Sequence, residues 1–243
     1  MKKTNMYPLS VKQWNPFCGC MHNCIYCESS FQRQLKRWGK EKCPLCYEYK
    51  PHAHPERLSQ PLPQTGYMQF IFTISNGDVA FCPTDYLGKI LERIEREHNK
   101  TFLMQSKNPQ TFNRVKFPEN VILGTTIETN RDELYEKISN APLPSQRFQD
   151  FLQVKHKTKM WTMEPVMDFD IDIIVSWAKM LNPCMIWLGY DSKRNYLPEP
   201  ELEKVETLRW KLSKAGYFVI LKTVRKAWWE EGSKGSTAYL TET

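Results

Sequence analysis

Apolar residues fall in short dense runs along the chain, and most runs are followed by a stretch in which they recur at helical spacing. The runs Tyr7 to Trp14, Tyr67 to Ser75, Thr101 to Gln105, Val121 to Ile127, Lys159 to Met163, Cys184 to Leu188 and Tyr217 to Leu221 are rich in aromatic and β-branched residues and predict strands. Between them, Glu28 to Trp38, Asp85 to Asn99, Arg131 to Ser139, Ser145 to His156, Asp170 to Met180 and Glu199 to Ala215 predict helices. In Asp85 to Asn99, for example, Ile90, Leu91 and Ile94 share one face. Strands that alternate with helices predict an α/β fold with a parallel sheet and crossover helices. Periodicity alone does not separate a partial, open β/α barrel of about six βα units from a flat doubly wound sheet.

One stretch breaks the alternation. Cys43-Pro44-Leu45-Cys46, then His52 and His54, lie in a segment with four prolines from Pro51 to Pro63. We read residues 43–63 as a small inserted loop inside one domain spanning 1–230, and 231–243 as a polar tail. Two cysteines followed closely by two histidines have the spacing of a structural zinc site.

Composition narrows the class. The chain has 243 residues, enough for one α/β barrel, and is 41% hydrophobic and 25% charged, as globular proteins are. Met1-Lys2-Lys3 leads into no apolar stretch of signal length, and no run approaches the ~20 apolar residues of a membrane helix. A cytoplasmic protein without membrane contact is therefore expected, with its clustered cysteines holding metals rather than all eight forming disulfides. The net charge of +7, with Arg33, Lys36, Arg37, Lys40, Lys42 and Lys50 close together, fits a DNA or RNA partner, or simply a solvated face.

The chemistry concentrates in Gly19-Cys20-Met21-His22-Asn23-Cys24-Ile25-Tyr26-Cys27. Its thiols have the order C-x3-C-x2-C, which can ligate three corners of a [4Fe–4S] cluster and leave the fourth iron open, whereas electron-transfer clusters have all irons held. Cys18, two residues upstream, reads as a neighbour. The alternative is a zinc site completed by His22; with Cys43 and Cys46 it would make a zinc-containing nucleic-acid-binding protein without catalysis.

The spacing, the aromatic Tyr26 and the preceding Trp14-Asn15-Pro16 resemble the radical S-adenosylmethionine (SAM) enzymes. His54-Pro55-Glu56-Arg57-Leu58 followed by Gln60-Pro61-Leu62 resembles an uncharacterised radical SAM family of phages, bacteria and archaea, distantly similar to spore photoproduct lyase. The resemblance implies an open partial barrel and a cluster on Cys20, Cys24 and Cys27. It also implies SAM chelated by the open iron and split to a 5'-deoxyadenosyl radical, an electron donor such as flavodoxin or ferredoxin, and a nucleic-acid or nucleotide substrate.

The resemblance also places residues around SAM. Ser75, Asn76, Gly77 and Asp78 occupy the turn that receives its amino group, although this chain departs from the family's Gly-Gly-Glu. Lys107, after Ser106, stands where lyase-like enzymes carry a lysine for the SAM carboxylate; Thr126 and Glu128 stand at the ribose, and Tyr26 near the adenine. Cys82 corresponds loosely to the thiol that returns a hydrogen atom in those enzymes, its alternative being a small core residue. Glu164, Tyr190 and Lys222, at strand ends, are candidates to face the substrate.

Overall fold

The computed structural model describes residues 7–230; the tail expected at 231–243 lies outside them. In chain order the strands are β1 (Ser10–Trp14), β2 (Phe17–Cys18), β3 (His52–Ala53), β4 (Phe70–Thr73), β5 (Phe102–Gln105), β6 (Val121–Thr126), β7 (Lys159–Met163), β8 (Met185–Gly189) and β9 (Val219–Lys222). Seven of them form one sheet in the order β1-β4-β5-β6-β7-β8-β9, and every pairing in it is parallel. Sheet order follows chain order and β9 does not pair with β1, so the sheet is an open half-barrel of βα units.

Both faces of these strands are apolar, which is why they read as dense runs rather than alternations. On the inner face Phe70, Phe72, Leu103, Ile122, Met160, Met185 and Trp187 pack with Tyr7 into a floor inside the sheet. On the outer face Ile71, Phe102, Met104, Val121, Leu123, Trp161, Ile186 and Leu188 meet the helices. Those helices are Thr84–Glu95, Pro144–Gln153, Ile171–Leu181 and Leu202–Lys214. The first buries Tyr86, Leu87, Ile90, Leu91 and Ile94 along one stripe, and Phe148 stacks on Trp177 with ring centroids 4.2 Å apart.

The differences from the predicted elements have local causes. The strand predicted at 67–75 shortens to Phe70–Thr73 because Met68 and Ile74 both turn the backbone to a φ of 59°. The helix predicted at 28–38 begins at Ile25 and contains a π-helical turn, Glu28–Gln32; the Ser30 hydroxyl donates to the Tyr26 carbonyl at 2.7 Å, diverting an acceptor from the α ladder. The helix predicted at 199–215 starts at Leu202, since Glu199 is buried as the partner of Arg225. Only Tyr135–Lys137 of the helix predicted at 131–139 is helical, as one 3-10 turn. Leu134 has a φ of 61°, and Ile138, Ser139 and Asn140 are bonded instead to the cysteine loop. No helix among the described residues is long and apolar enough to cross a membrane.

Candidate functional site

The cysteine loop lies at the carboxyl ends of the strands and is held from two sides. From one side, Ile25 N–H donates to the Ile138 carbonyl (3.0 Å), Asn140 N–H to the His22 carbonyl (2.7 Å), and the Ser139 hydroxyl lies 3.1 Å from Cys24 Sγ. From the other, the loop leans on the turn after β4. Gly19 bridges Gly77 in parallel, Gly19 N–H donates to the Asn76 carbonyl (2.9 Å), and Asp78 N–H donates to the Gly19 carbonyl (3.3 Å). A Cβ at Gly77 would lie 2.8 Å from the Gly19 carbonyl oxygen, so the glycine is required by backbone-to-backbone contact. Asn15 orders the same turn through its side chain: Oδ1 accepts from Asn76 N–H at 2.8 Å, and the amide exchanges hydrogen bonds with the Ser75 hydroxyl.

Within the loop Cys24 and Cys27 act on each other's thiols, and Cys20 is near enough to raise the Cys27 pKa further. The neighbouring Cys27 thiol, against the opposing effect of burial and with the charge of Lys107, pulls the Cys24 thiol well below its ordinary range. Cys18 faces elsewhere: its sulfur accepts from Arg57 Nη1 at 3.4 Å, toward the Cys43/Cys46 segment.

Beneath the thiols is a buried charge cluster. Lys107 Nζ contacts the Tyr26 hydroxyl and Glu128 Oε1, and lies 3.3 Å from the Tyr135 hydroxyl. Glu128 Oε1 also accepts from Tyr26 Oη (2.6 Å) and Tyr135 Oη (3.0 Å), while Oε2 pairs with Arg147 Nη2 at 2.7 Å. Glu128 and Arg147 are both fully buried. Burial would raise the Glu128 carboxyl, but Arg147 and Lys107 bring it down to about 2. Burial would likewise lower the Lys107 ammonium, but Cys24 and Glu128 outweigh it and raise its pKa. Two cations against one carboxylate leave this cluster with one positive charge in excess, which acts on the Cys24 thiol.

The remaining predicted residues fall into four groups. Asp78 is buried between two turns: Oδ1 accepts from Ala80 N–H (2.8 Å) and Ser106 Oγ (2.6 Å), and Oδ2 from Lys107 N–H (2.8 Å), with His22 Nε2 at 3.3 Å. Burial acts to raise its pKa, but His22, Ser106 and the Lys107 amide outweigh it and lower it. Thr126 is buried beside Arg147, which donates to the Thr126 carbonyl. Glu164 and Lys222 pair at 2.8 Å and, with Tyr190 and Tyr26, line a cavity of about 380 Å³ next to the cysteine loop. Burial raises the Glu164 carboxyl, and Lys222 only partly offsets it. Cys82 is fully buried in the core with the outer helices, its thiol pushed up to about 12 by burial, and is not part of the cavity wall. A hydrogen-donor role for Cys82 therefore finds no support in its position; it packs the core.

Arg147, Tyr135 and Ser139 belong to the site but carry no assignment from sequence, while His22 enters only as the fourth ligand of the zinc alternative. Arg147 had a legible signal, since it shares a helix face with the apolar Pro144, Phe148 and Phe151. Ser139 had none, because its partner Cys24 lies far away in the chain, and Tyr135 meets Glu128, seven residues earlier, only through a non-helical turn.

Residues 9–183 match the model of a family described as "Protein of unknown function (DUF5131)". No curated protein matches. Among solved structures the chain is similar to Streptococcus suis SuiB, at 10% identity and a TM-score of 0.49, covering 89% of this chain and 49% of that one. The same protein bound to S-adenosylmethionine gives 9% identity, a TM-score of 0.48 and coverage of 87% and 50%. Bound to its precursor peptide SuiA it gives 9%, 0.50, and 87% and 49%. The chain thus spans about half the length of these structures, and at this identity the likeness concerns the fold.

Proposed function

Because the chain belongs to the DUF5131 family, whose description names no chemistry, we propose its activity from the site: a radical SAM enzyme. The observation that carries this reading is that Cys20, Cys24 and Cys27 sit on one loop at the carboxyl ends of the strands, beside the buried Lys107–Glu128–Arg147 cluster. A set of three thiolates with Cys18 turned away suits a [4Fe–4S] cluster with one iron left open. When bound, that cluster supplies the electron that splits the sulfonium of SAM into methionine and a 5'-deoxyadenosyl radical.

The chain's own residues do the positioning. Lys107 and Arg147 offset the charge of the thiolates, and Glu128 keeps the two cations from repelling each other. Ser75, Asn76, Gly77 and Asp78 form the turn beside the loop that would receive the SAM amino group. Ser106 and Lys107 flank its carboxylate, and Thr126, Glu128 and Tyr26 its ribose and adenine. Asp78 and Glu128 already have protein partners, so they act chiefly by fixing the groups around them. An external one-electron donor such as flavodoxin or ferredoxin is required. Protein reconstituted with iron and sulfide without oxygen should carry about four irons per chain and absorb in the visible. Reduced with dithionite, it should release 5'-deoxyadenosine from SAM. Colourless protein that takes up only zinc would overturn the reading.

For the substrate, the cavity beside Tyr26 supports an anion such as a nucleic acid or nucleotide. Arg33, Arg37 and Lys193 line it without an acidic partner within 4 Å among the described residues. Lys40 and Lys50 are instead paired with Glu48. Single-stranded DNA or RNA should bind less tightly as salt rises, and Arg33→Ala with Arg37→Ala should reduce the salt slope by about 2. Binding to neither polymer, or binding indifferent to salt, would contradict a nucleic-acid substrate.

A further inference from the structure

Cys43, Cys46, His52 and His54 bring one ligand atom each to within 4.8 Å of all the others, apart from the cysteine loop. His52 Nε2 lies 3.2 Å from Cys43 Sγ and 3.3 Å from Cys46 Sγ, and His54 Nε2 lies 3.2 Å from Cys46 Sγ. Tetrahedral bonds of about 2.0–2.3 Å to zinc place ligand atoms roughly 3.3–3.8 Å apart. The four atoms therefore stand close to the separations a zinc ion requires.

The imidazole tautomers agree. His52 Nδ1 is 2.8 Å from the Lys50 carbonyl, and His54 Nδ1 is 3.0 Å from Glu56 Oε1. A carbonyl and a carboxylate can only accept, so each Nδ1 carries the proton and each Nε2 turns a lone pair toward the sulfurs. Each Nε2 can accept from a thiol when no ion is bound, and an ion can take the place of those two thiol protons. Cys46 N–H donates to Cys43 Sγ at 3.1 Å, which stabilises negative charge on that sulfur. Two thiolates and two neutral imidazoles in a tetrahedron favour zinc.

We propose that this group holds one structural zinc ion, and that the ion braces the segment leading into Cys20. The loop has little else to order it: one short helix, Pro44–Tyr47, and the two-residue β3. Yet that loop backs residues 16–20. β3 pairs with β2, placing His52 opposite Cys18, and His54 N–H donates to the Pro16 carbonyl at 2.6 Å. Cys20 N–H donates to the Tyr49 carbonyl at 3.2 Å. Gly19, at a φ of 95°, is pressed so close that a Cβ would sit 2.2 Å from the Lys50 carbonyl oxygen. A metal that fixes 43–54 thereby fixes the first thiol of the other site. This assignment is independent of what Cys20, Cys24 and Cys27 bind.

The test uses full-length protein without iron reconstitution and without SAM. Wild type should contain about one zinc per chain. Cobalt titrated into chelator-treated protein should give the strong visible bands of a tetrahedral thiolate complex. Both signals should vanish in Cys43→Ser/Cys46→Ser. His52→Gln, which leaves both thiols in place, should weaken zinc retention at least tenfold and keeps the test open if the double variant does not fold. Amide exchange of residues 16–20 should rise when zinc is removed from wild type by a chelator. Zinc absent from wild type, or unchanged in both variants, overturns the site. Zinc lost with unchanged exchange at 16–20 overturns the bracing role.

Discussion

Replacing Arg147 with methionine is expected to destabilise the protein by about 3–5 kcal/mol, the range for removing one partner of a buried ion pair. Arg147 is fully buried, with Nη2 2.7 Å from Glu128 Oε2 and Nη1 on the Thr126 carbonyl. Methionine fills much of the volume but supplies neither charge nor donor. Glu128 would keep Lys107 and two tyrosines but lose the cation on its other oxygen. Glu128→Gln should cost as much, since it deprives two buried cations of their shared carboxylate. The double variant should cost less than the sum of the two, because neither charge is then left alone. Urea unfolding of the three variants provides the check; a loss under 1 kcal/mol for Arg147→Met would show that the cluster is solvated rather than dry. The pH dependence follows from the same group. The Glu128 pKa is depressed from 4.5 to about 2, so its stabilisation is fully present above the ordinary carboxylate range and is lost as pH falls through that interval. The variant should therefore unfold at a higher pH on acidification than the wild type.

The second large effect falls on the thiols. Cys24→Ala is expected to reduce bound iron after anaerobic reconstitution from about four per chain to near background, because two thiolates hold a cubane poorly. Cys24 carries more than its own bond. It is the thiol that Cys27, Lys107 and Ser139 together favour as thiolate, so its loss also removes the anion that Lys107 faces. Cys18→Ala is the control: its sulfur contacts Arg57, and the iron content should match wild type. Iron retained in Cys24→Ala but lost in Cys18→Ala would reverse the ligand assignment.

Most of the sheet was legible because its strands are apolar on both faces, so that Val121 to Ile127 and Lys159 to Met163 stand out from any flanking sequence. Opening the barrel was not legible from periodicity, since a half-barrel and a flat sheet share the same alternation. The thiol loop stands out from spacing alone, because its three cysteines fall within eight consecutive positions. Asn15 was visible as part of a motif, but its work of ordering Ser75 and Asn76 across sixty residues depends on how β1 lies beside β4. Lys107, Glu128, Arg147 and Tyr135 come from four separate places in the chain, and no local pattern can state that they meet. Segment 131–139 looked helical for the same reason: its composition allows a helix, but bonds from Ser139 and Asn140 to the cysteine loop decide against it. Cys82 shows how little an offset from a strand end says about placement: it lies buried in the outer core and not on the cavity wall.

The central claim is that Cys20, Cys24 and Cys27 hold a cluster whose remaining iron is free to bind SAM. The most direct measurement is the electron paramagnetic resonance spectrum of the dithionite-reduced, reconstituted protein, recorded before and after SAM is added. An open iron should give the signal of a reduced [4Fe–4S] centre that changes shape and g-values on addition of SAM. A reduced cluster signal unmoved by saturating SAM, or no cluster signal at all, would contradict the account.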